Sequence, residues 1–136
     1  MAKDFRFIST GAAGRSSFPT SQGAVVGNLV FTSGHGPLSP GGHKFEQTTF
    51  KDQVVQTMRN IEAVLKEAGT SLENCVRFEV ILRRMENFAE FNEIYKTFFT
   101  PPYPPRMTFI AGIVRPEIDV EMAAIAVIPS KSGDGR

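Results

Sequence analysis

Between Val120 and Ile128 every residue but one is apolar, and the exception is Glu121. At a strand's period of two, Val120, Met122, Ala124, Ala126 and Ile128 share one face, and Glu121, Ala123, Ile125 and Val127 share the other. A strand apolar on both faces asks for cover on both. It also sets a carboxylate among aliphatic side chains, which is costly unless the group has a partner, a raised pKa or a task. Upstream, the proline-rich turn Pro101-Pro102-Tyr103-Pro104-Pro105 delivers Arg106 to the start of another strand-like run. Arg106 and Glu121 are therefore the first candidates for functional groups. The competing reading is a structural Arg–Glu ion pair.

The remaining elements follow from periodicity and punctuation. Phe5–Ser9 reads as a short strand followed by a Gly/Ser-rich loop, and Ala24 to Phe31 as a hairpin whose Gly27-Asn28 supplies the positive φ angles of a tight turn. A loop rich in glycine spans Gly34 to Gly42. Thr48 or Thr49 is placed to cap a helix carrying Phe50, Val54, Met58, Ile61, Leu65 and Ala68 at helical spacing, with Gly69 as its stop. Val76, Phe78, Val80 and Leu82 form the buried face of a strand. Asn87 is placed to cap a second helix with an aromatic stripe of Phe88, Phe91, Tyr95 and Phe98, read as core. Arg106–Ile113 and Ile118–Ile128 supply the last strands. The order β-β-β-α-β-α-β-β predicts an α+β domain with both helices on one face of a mixed sheet. The opposite face then needs another cover, and a second copy of the chain is the natural one.

At 136 residues the chain is expected to be a single domain, residues 1–128, with a polar, flexible tail from 129 to 136. Fifteen basic and 14 acidic residues leave a net charge of +1, no footprint for nucleic acid or an anionic membrane. No 18-residue apolar run occurs, and Met1–Thr10 lacks the apolar core of a signal peptide, so a cytoplasmic protein is expected. A single cysteine, Cys75, fits a reducing compartment and is read as buried. Only His35 and His43 could join it as soft ligands, so no metal site is predicted. The Gly34–Gly42 loop has neither G-x-G-x-x-G nor a Walker pattern, which argues against phosphate cradling. His35, in Ser33-Gly34-His35-Gly36, titrates near neutrality and is a candidate general base, or a plain loop histidine. A Ser33–His35 hydrolytic pair is not expected, because G-x-S-x-G is absent and the short spacing is read as keeping the side chains apart.

Several segments together carry a family resemblance: Thr20-Ser21-Gln22, Phe31-Thr32-Ser33-Gly34, Asn60-Ile61, Asn92-Glu93-Ile94-Tyr95, Pro105-Arg106 and Val120-Glu121-Met122-Ala123-Ala124-Ile125-Ala126. From about Ile8 to Ile128 the chain resembles the Rid (YjgF) family of reactive intermediate deaminases. The resemblance implies a chorismate-mutase-like α+β fold, a homotrimer with clefts between subunits, and no metal or organic cofactor. It implies hydrolysis of amino-acid-derived enamines and imines to 2-oxo acids and ammonia. Arg106 matches the arginine that grips the substrate carboxylate, and Glu121 the glutamate that positions water or shuttles a proton. Gly34 matches the glycine whose backbone faces the ligand, Asn92 a cleft-lining asparagine, and Ser33 lies beside that glycine.

The departures from the family pattern are specific. Pro19-Thr20-Ser21-Gln22 stands where the deaminases usually carry Pro-Tyr-Ser-Gln, so a phenol is missing from the binding position of Thr20. His35 stands where many members have Gln, and Thr108 where a small residue or Cys is common. These changes predict a substrate bulkier than the enamines of serine or threonine, handled by Glu121 with His35 as a second proton carrier. The open alternatives are tautomerisation or hydrolysis of a bulkier intermediate, and non-catalytic binding of a small carboxylate. A nucleic-acid role, suggested by relatives described as endoribonucleases, is disfavoured by the charge balance.

Overall fold

The computed structural model describes residues 4–46 and 49–130. The strands are β1 (Phe5–Ile8), β2 (Gly23–Val26), β3 (Leu29–Thr32), β4 (Cys75–Leu82), β5 (Arg106–Ile110) and β6 (Val120–Val127). The helices are α1 (Phe50–Ala68) and α2 (Phe88–Tyr95). The strands form one mixed sheet in the order β1-β2-β3-β6-β4-β5, in which only β4 and β5 run parallel. The doubly apolar segment is thus a central strand, with β3 on one side and β4 on the other. Thr49 is the cap of α1, accepting a hydrogen bond from the Asp52 amide at 3.0 Å; Thr48, the other candidate, lies outside the described residues. Gly69 ends α1 in the left-handed region at φ 93°, its amide donating to Lys66 and that of Thr70 to Leu65. This Schellman closure needs a residue without a Cβ penalty.

Both helices pack on one face of the sheet. Val54, Met58, Ile61, Val64 and Leu65 of α1 are fully buried over Val30, Phe78, Val80, Met122 and Ala126. The second helix adds Phe91 and Tyr95, and the Tyr95 ring meets that of Phe78 edge-on at 5.6 Å. The other face carries Phe31, Ala123, Ile125, Met107 and Phe109, and none of the described residues forms a layer over it. Met107 is 51% exposed and Phe109 42%. No helix among the described residues is long and apolar enough to cross a membrane.

Several local expectations are corrected. Val76 is exposed and Cys75 takes the buried position, because a register shift between Cys75 and Arg77 puts a bulge at the start of β4. In the hairpin turn only Gly27 has a positive φ, at 60°, so Asn28 does not share that role. Asn87 makes no side-chain cap; a 3₁₀ turn over Met85–Asn87 already coils the chain into α2. Phe88 is exposed and drops out of the aromatic stripe. β5 stops at Ile110 rather than Ile113, and β6 begins at Val120 rather than Ile118. The Arg83 guanidinium claims the intervening carbonyls, donating to those of Ile113, Arg115 and Ile118 at 2.8–3.0 Å. Residues 131–136 of the predicted tail lie outside the described residues.

Candidate functional site

The first half of the candidate site is built on the edge strand. The Pro105 carbonyl accepts from the Phe78 amide at 2.9 Å, which seats the start of β5, and Arg106 pairs in register with Phe78. Its side chain therefore leaves on the helix side of the sheet. There the guanidinium lies 4.8 Å from the centre of the Tyr95 ring and 5.3 Å from that of Phe91, and donates to Asn92 Oδ1 at 2.7 Å. Two rings hold the plane and one amide fixes its rotation, leaving the outward N–H groups for a carboxylate. Among the described residues no carboxylate pairs with Arg106. The cavity beside it, ≈ 310 Å³, is lined by Asn92, Tyr95, Lys96, Tyr103 and Pro104. Thr108 lies two residues along the same face, its Oγ1 buried and without a hydrogen-bond partner among the described residues.

The second half lies on the other face. Glu121 pairs in register with Ile81 on β4 and points away from the helices. Its carboxylate lies against the Gly34 backbone so closely that a Cβ at position 34 would collide with Oε2. Any larger residue would displace the carboxylate. Burial pushes the Glu121 pKa up, and among the described residues the carboxylate makes no ion pair. The expected alternative of an Arg106–Glu121 structural ion pair is therefore absent. Glu121 opens into a cavity of ≈ 130 Å³ shared with Phe18, Gly34, Ile113, Val114 and Ile118.

Thr20, Ser33 and His35 line a different cavity of ≈ 240 Å³, which meets the Glu121 cavity only along Gly34, Gly36 and neighbouring loop residues. His35 is bridged through its backbone to Met122, and so stands on the side of the sheet opposite Glu121. Its Nε2 lies 3.0 Å from the Gln22 carbonyl, and burial lowers its pKa, which fits a neutral ring donating from Nε2. The pairing of His35 and Glu121 as joint proton carriers is thus corrected: they do not face one cavity. The expected separation of Ser33 and His35 is corrected too, since residues two apart share a side of an extended chain. Ser33 Oγ lies 3.4 Å from His35 Nε2, yet both atoms also face the Gln22 carbonyl.

Two buried amides organise these loops. Gln22 bonds Thr10 and Gly14, while Asn60 accepts from the Gly14 amide and donates to the carbonyls of Gly36 and Leu38 at 2.9 Å. Sequence reasoning gave neither amide a role, although Gln53, Thr57 and Asn60 mark a polar line at helical spacing within α1. Phe18 and Arg83 were also missed. Among the described residues no three His, Cys, Asp or Glu side chains cluster as metal ligands do. Cys75 is buried, which pushes its thiol up to about 12.

The two halves cannot meet on one small molecule within a single chain. Arg106 and Glu121 stand on strands separated by β4, about 10 Å apart across the sheet, and leave it in opposite directions.

A family model described as endoribonuclease L-PSP matches residues 12–128. The chain is 34% identical over 118 residues to the RutC family protein y4sK of Sinorhizobium fredii, covering 87% of this chain and 94% of the relative. It is 29% identical over 123 residues to a 2-iminobutanoate/2-iminopropanoate deaminase of Dermatophagoides farinae, covering 90% and 96%. The crystal structure of RidA from the Antarctic bacterium Psychrobacter sp. PAMC 21119 superposes with a TM-score of 0.84 at 31% identity, covering 90% of this chain and 99% of the other.

Proposed function

The chain belongs to the endoribonuclease L-PSP family, that of the Rid and YjgF proteins, and from that premise we propose that it is a cofactor-independent imine hydrolase. Its substrates are 2-imino acids and the enamines in equilibrium with them. The substrate carboxylate rests on Arg106, through two parallel hydrogen bonds that fix orientation as well as charge. Glu121 holds a water against the imine carbon. The water oxygen bonds to that carbon, the two water protons pass in turn through Glu121 to nitrogen, the C–N bond breaks as the C=O bond forms, and ammonia leaves a 2-oxo acid. A carboxylate whose pKa is raised by an apolar wall suits this traffic near neutrality. Gly34 lets the carboxylate lie against the main chain, Asn92 sets the guanidinium, and Thr108 offers an uncommitted hydroxyl beside it.

The observation that carries this reading is the divergence of Arg106 and Glu121 on opposite faces of the sheet. A reaction needing both is completed by a second copy, whose open face meets the β5 edge of the first. The assembly that the family resemblance implies is a trimer, which would hold three such clefts. The endoribonuclease description is not carried to this chain, because a net charge of +1 supplies no surplus of cations for an RNA backbone.

Subunit complementation tests the proposal. Arg106→Ala alone should lose about 2–4 kcal/mol of transition-state stabilisation without unfolding, and Glu121→Gln should be similarly impaired. Co-assembled in equal amounts, the two inactive variants restore both groups in about a quarter of the clefts, and ammonia release from enzymatically generated 2-imino acids returns accordingly. Mixed oligomers without recovered activity would place both groups in one chain. Full activity of either single variant overturns its assigned role. Carboxylate binding without ammonia release from the wild type would make the protein a binder rather than an enzyme.

A further inference from the structure

The cavity that Glu121 enters has apolar walls held in place from two sides. On one side the turn before β2 presents Phe18, which is 53% exposed. Its amide donates to Ser16 Oγ at 2.9 Å and its carbonyl accepts from the Thr20 amide at 2.8 Å, so the backbone of that turn is fixed. Facing it, the segment after β5 presents Ile113, Ile118 and Val114, the last 82% exposed. This segment is no loose loop, because Arg83 donates into three of its carbonyls. Exposed apolar side chains on both sides of a carboxylate, each on a pinned backbone, form a preformed pocket.

Among the described residues one cation, Arg115, stands at the rim, and it is already engaged. It pairs with Glu117 at 2.6 Å and donates to the His43 carbonyl at 2.8 Å, so no described cation is left there for a second anionic group. Thr20, at the position where the family carries its tyrosine, lines the neighbouring cavity instead. The aromatic wall lost there stands two residues earlier, without a hydroxyl.

Resting on the hydrolase reading, we propose that Phe18 and the Ile113–Ile118 segment receive the substrate's side chain and select 2-imino acids with branched aliphatic side chains over those with a methyl group. Burying the additional methylene groups against Phe18 supplies the discrimination, about tenfold or more.

The test combines turnover with binding. Imines are generated in situ from leucine and from alanine by an amino-acid oxidase, and 4-methyl-2-oxopentanoate and pyruvate are titrated calorimetrically. The wild type is expected to favour the leucine-derived imine and the branched oxo acid. Phe18→Gly should cut both preferences by about tenfold, and Phe18→Leu should keep most of them. Turnover without a side-chain preference, or a loss equal for both substrates, overturns the pocket and leaves the hydrolase reading standing. Phe18-dependent binding of the branched oxo acid without turnover of any imine upholds the pocket and overturns the hydrolase reading. A Phe18→Gly protein of altered oligomeric mass overturns the pocket by making Phe18 an interface residue.

Discussion

His35 is a residue whose type and surroundings point to different tasks. Its sequence neighbours pointed to proton transfer, but burial and the Gln22 carbonyl favour a neutral ring with a structural hydrogen bond. The unfolded chain carries an ordinary histidine of pKa near 6.5, whereas the folded ring takes its proton only at lower pH. Below about pH 6.5 the unfolded state therefore binds more protons, and folding stability falls with pH. Thermal melts of the wild type should shift down between pH 7.5 and 5 by more than those of His35→Gln, whose amide keeps a donor for Gln22. Equal shifts would show that His35 takes up its proton alike in the folded and unfolded states. Arg106 and Glu121 stood out in the sequence as candidates because each breaks a local rule: a cation straight after a rigid turn, a charge in an apolar strand. Gln22 was not, because nothing in a linear sequence separates a buried amide from a wet one.

At the scale of elements, α1, β4 and β6 were readable because their burial repeats at 3.6 or 2 residues over a long span. The misread ends all lie where a side chain or an irregular turn takes over the backbone's hydrogen bonds: Arg83 between β5 and β6, the bulge at Cys75, the 3₁₀ entry to α2. The same principle makes Asn60 decisive. One buried side chain on α1 ties the loop at Gly14 to the loop at Gly36 and Leu38, so the walls of two cavities depend on it. Asn60→Ala should cost about 2–4 kcal/mol, since it strands the buried Gly14 amide and two part-buried carbonyls, and should loosen both loops. Chemical denaturation measures the first effect. Faster amide hydrogen exchange at Gly14, with helix α1 unchanged, measures the second. Asn60→Leu, which fills the space without the bonds, should rescue neither.

For the whole molecule, the open sheet face is the decisive feature. Phe31, Met107 and Phe109 stand exposed on it around the half-buried Ile125, an arrangement a soluble monomer rarely keeps. In the proposed trimer this face is covered, so light scattering should give about three times the mass of one chain. Met107→Glu or Phe31→Glu should yield monomers that keep the fold and lose activity. A stable, active monomer would refute both the assembly and the shared cleft. Composition and charge carried no sign of which face a partner would meet, and that proposal arose only when the register set Arg106 and Glu121 back to back.

Of the strands among the described residues, β6 is made last, and it stands at the middle of the sheet. Until the ribosome has released Val120–Val127, β3 and β4 have no neighbour between them, and the nascent chain holds two unfinished half-sheets with open edges. The hairpin and α1 can form early, but the sheet closes only once Val120–Val127 has been made and has emerged. A premature stop anywhere before Val120 would thus leave an adhesive fragment rather than a smaller working protein.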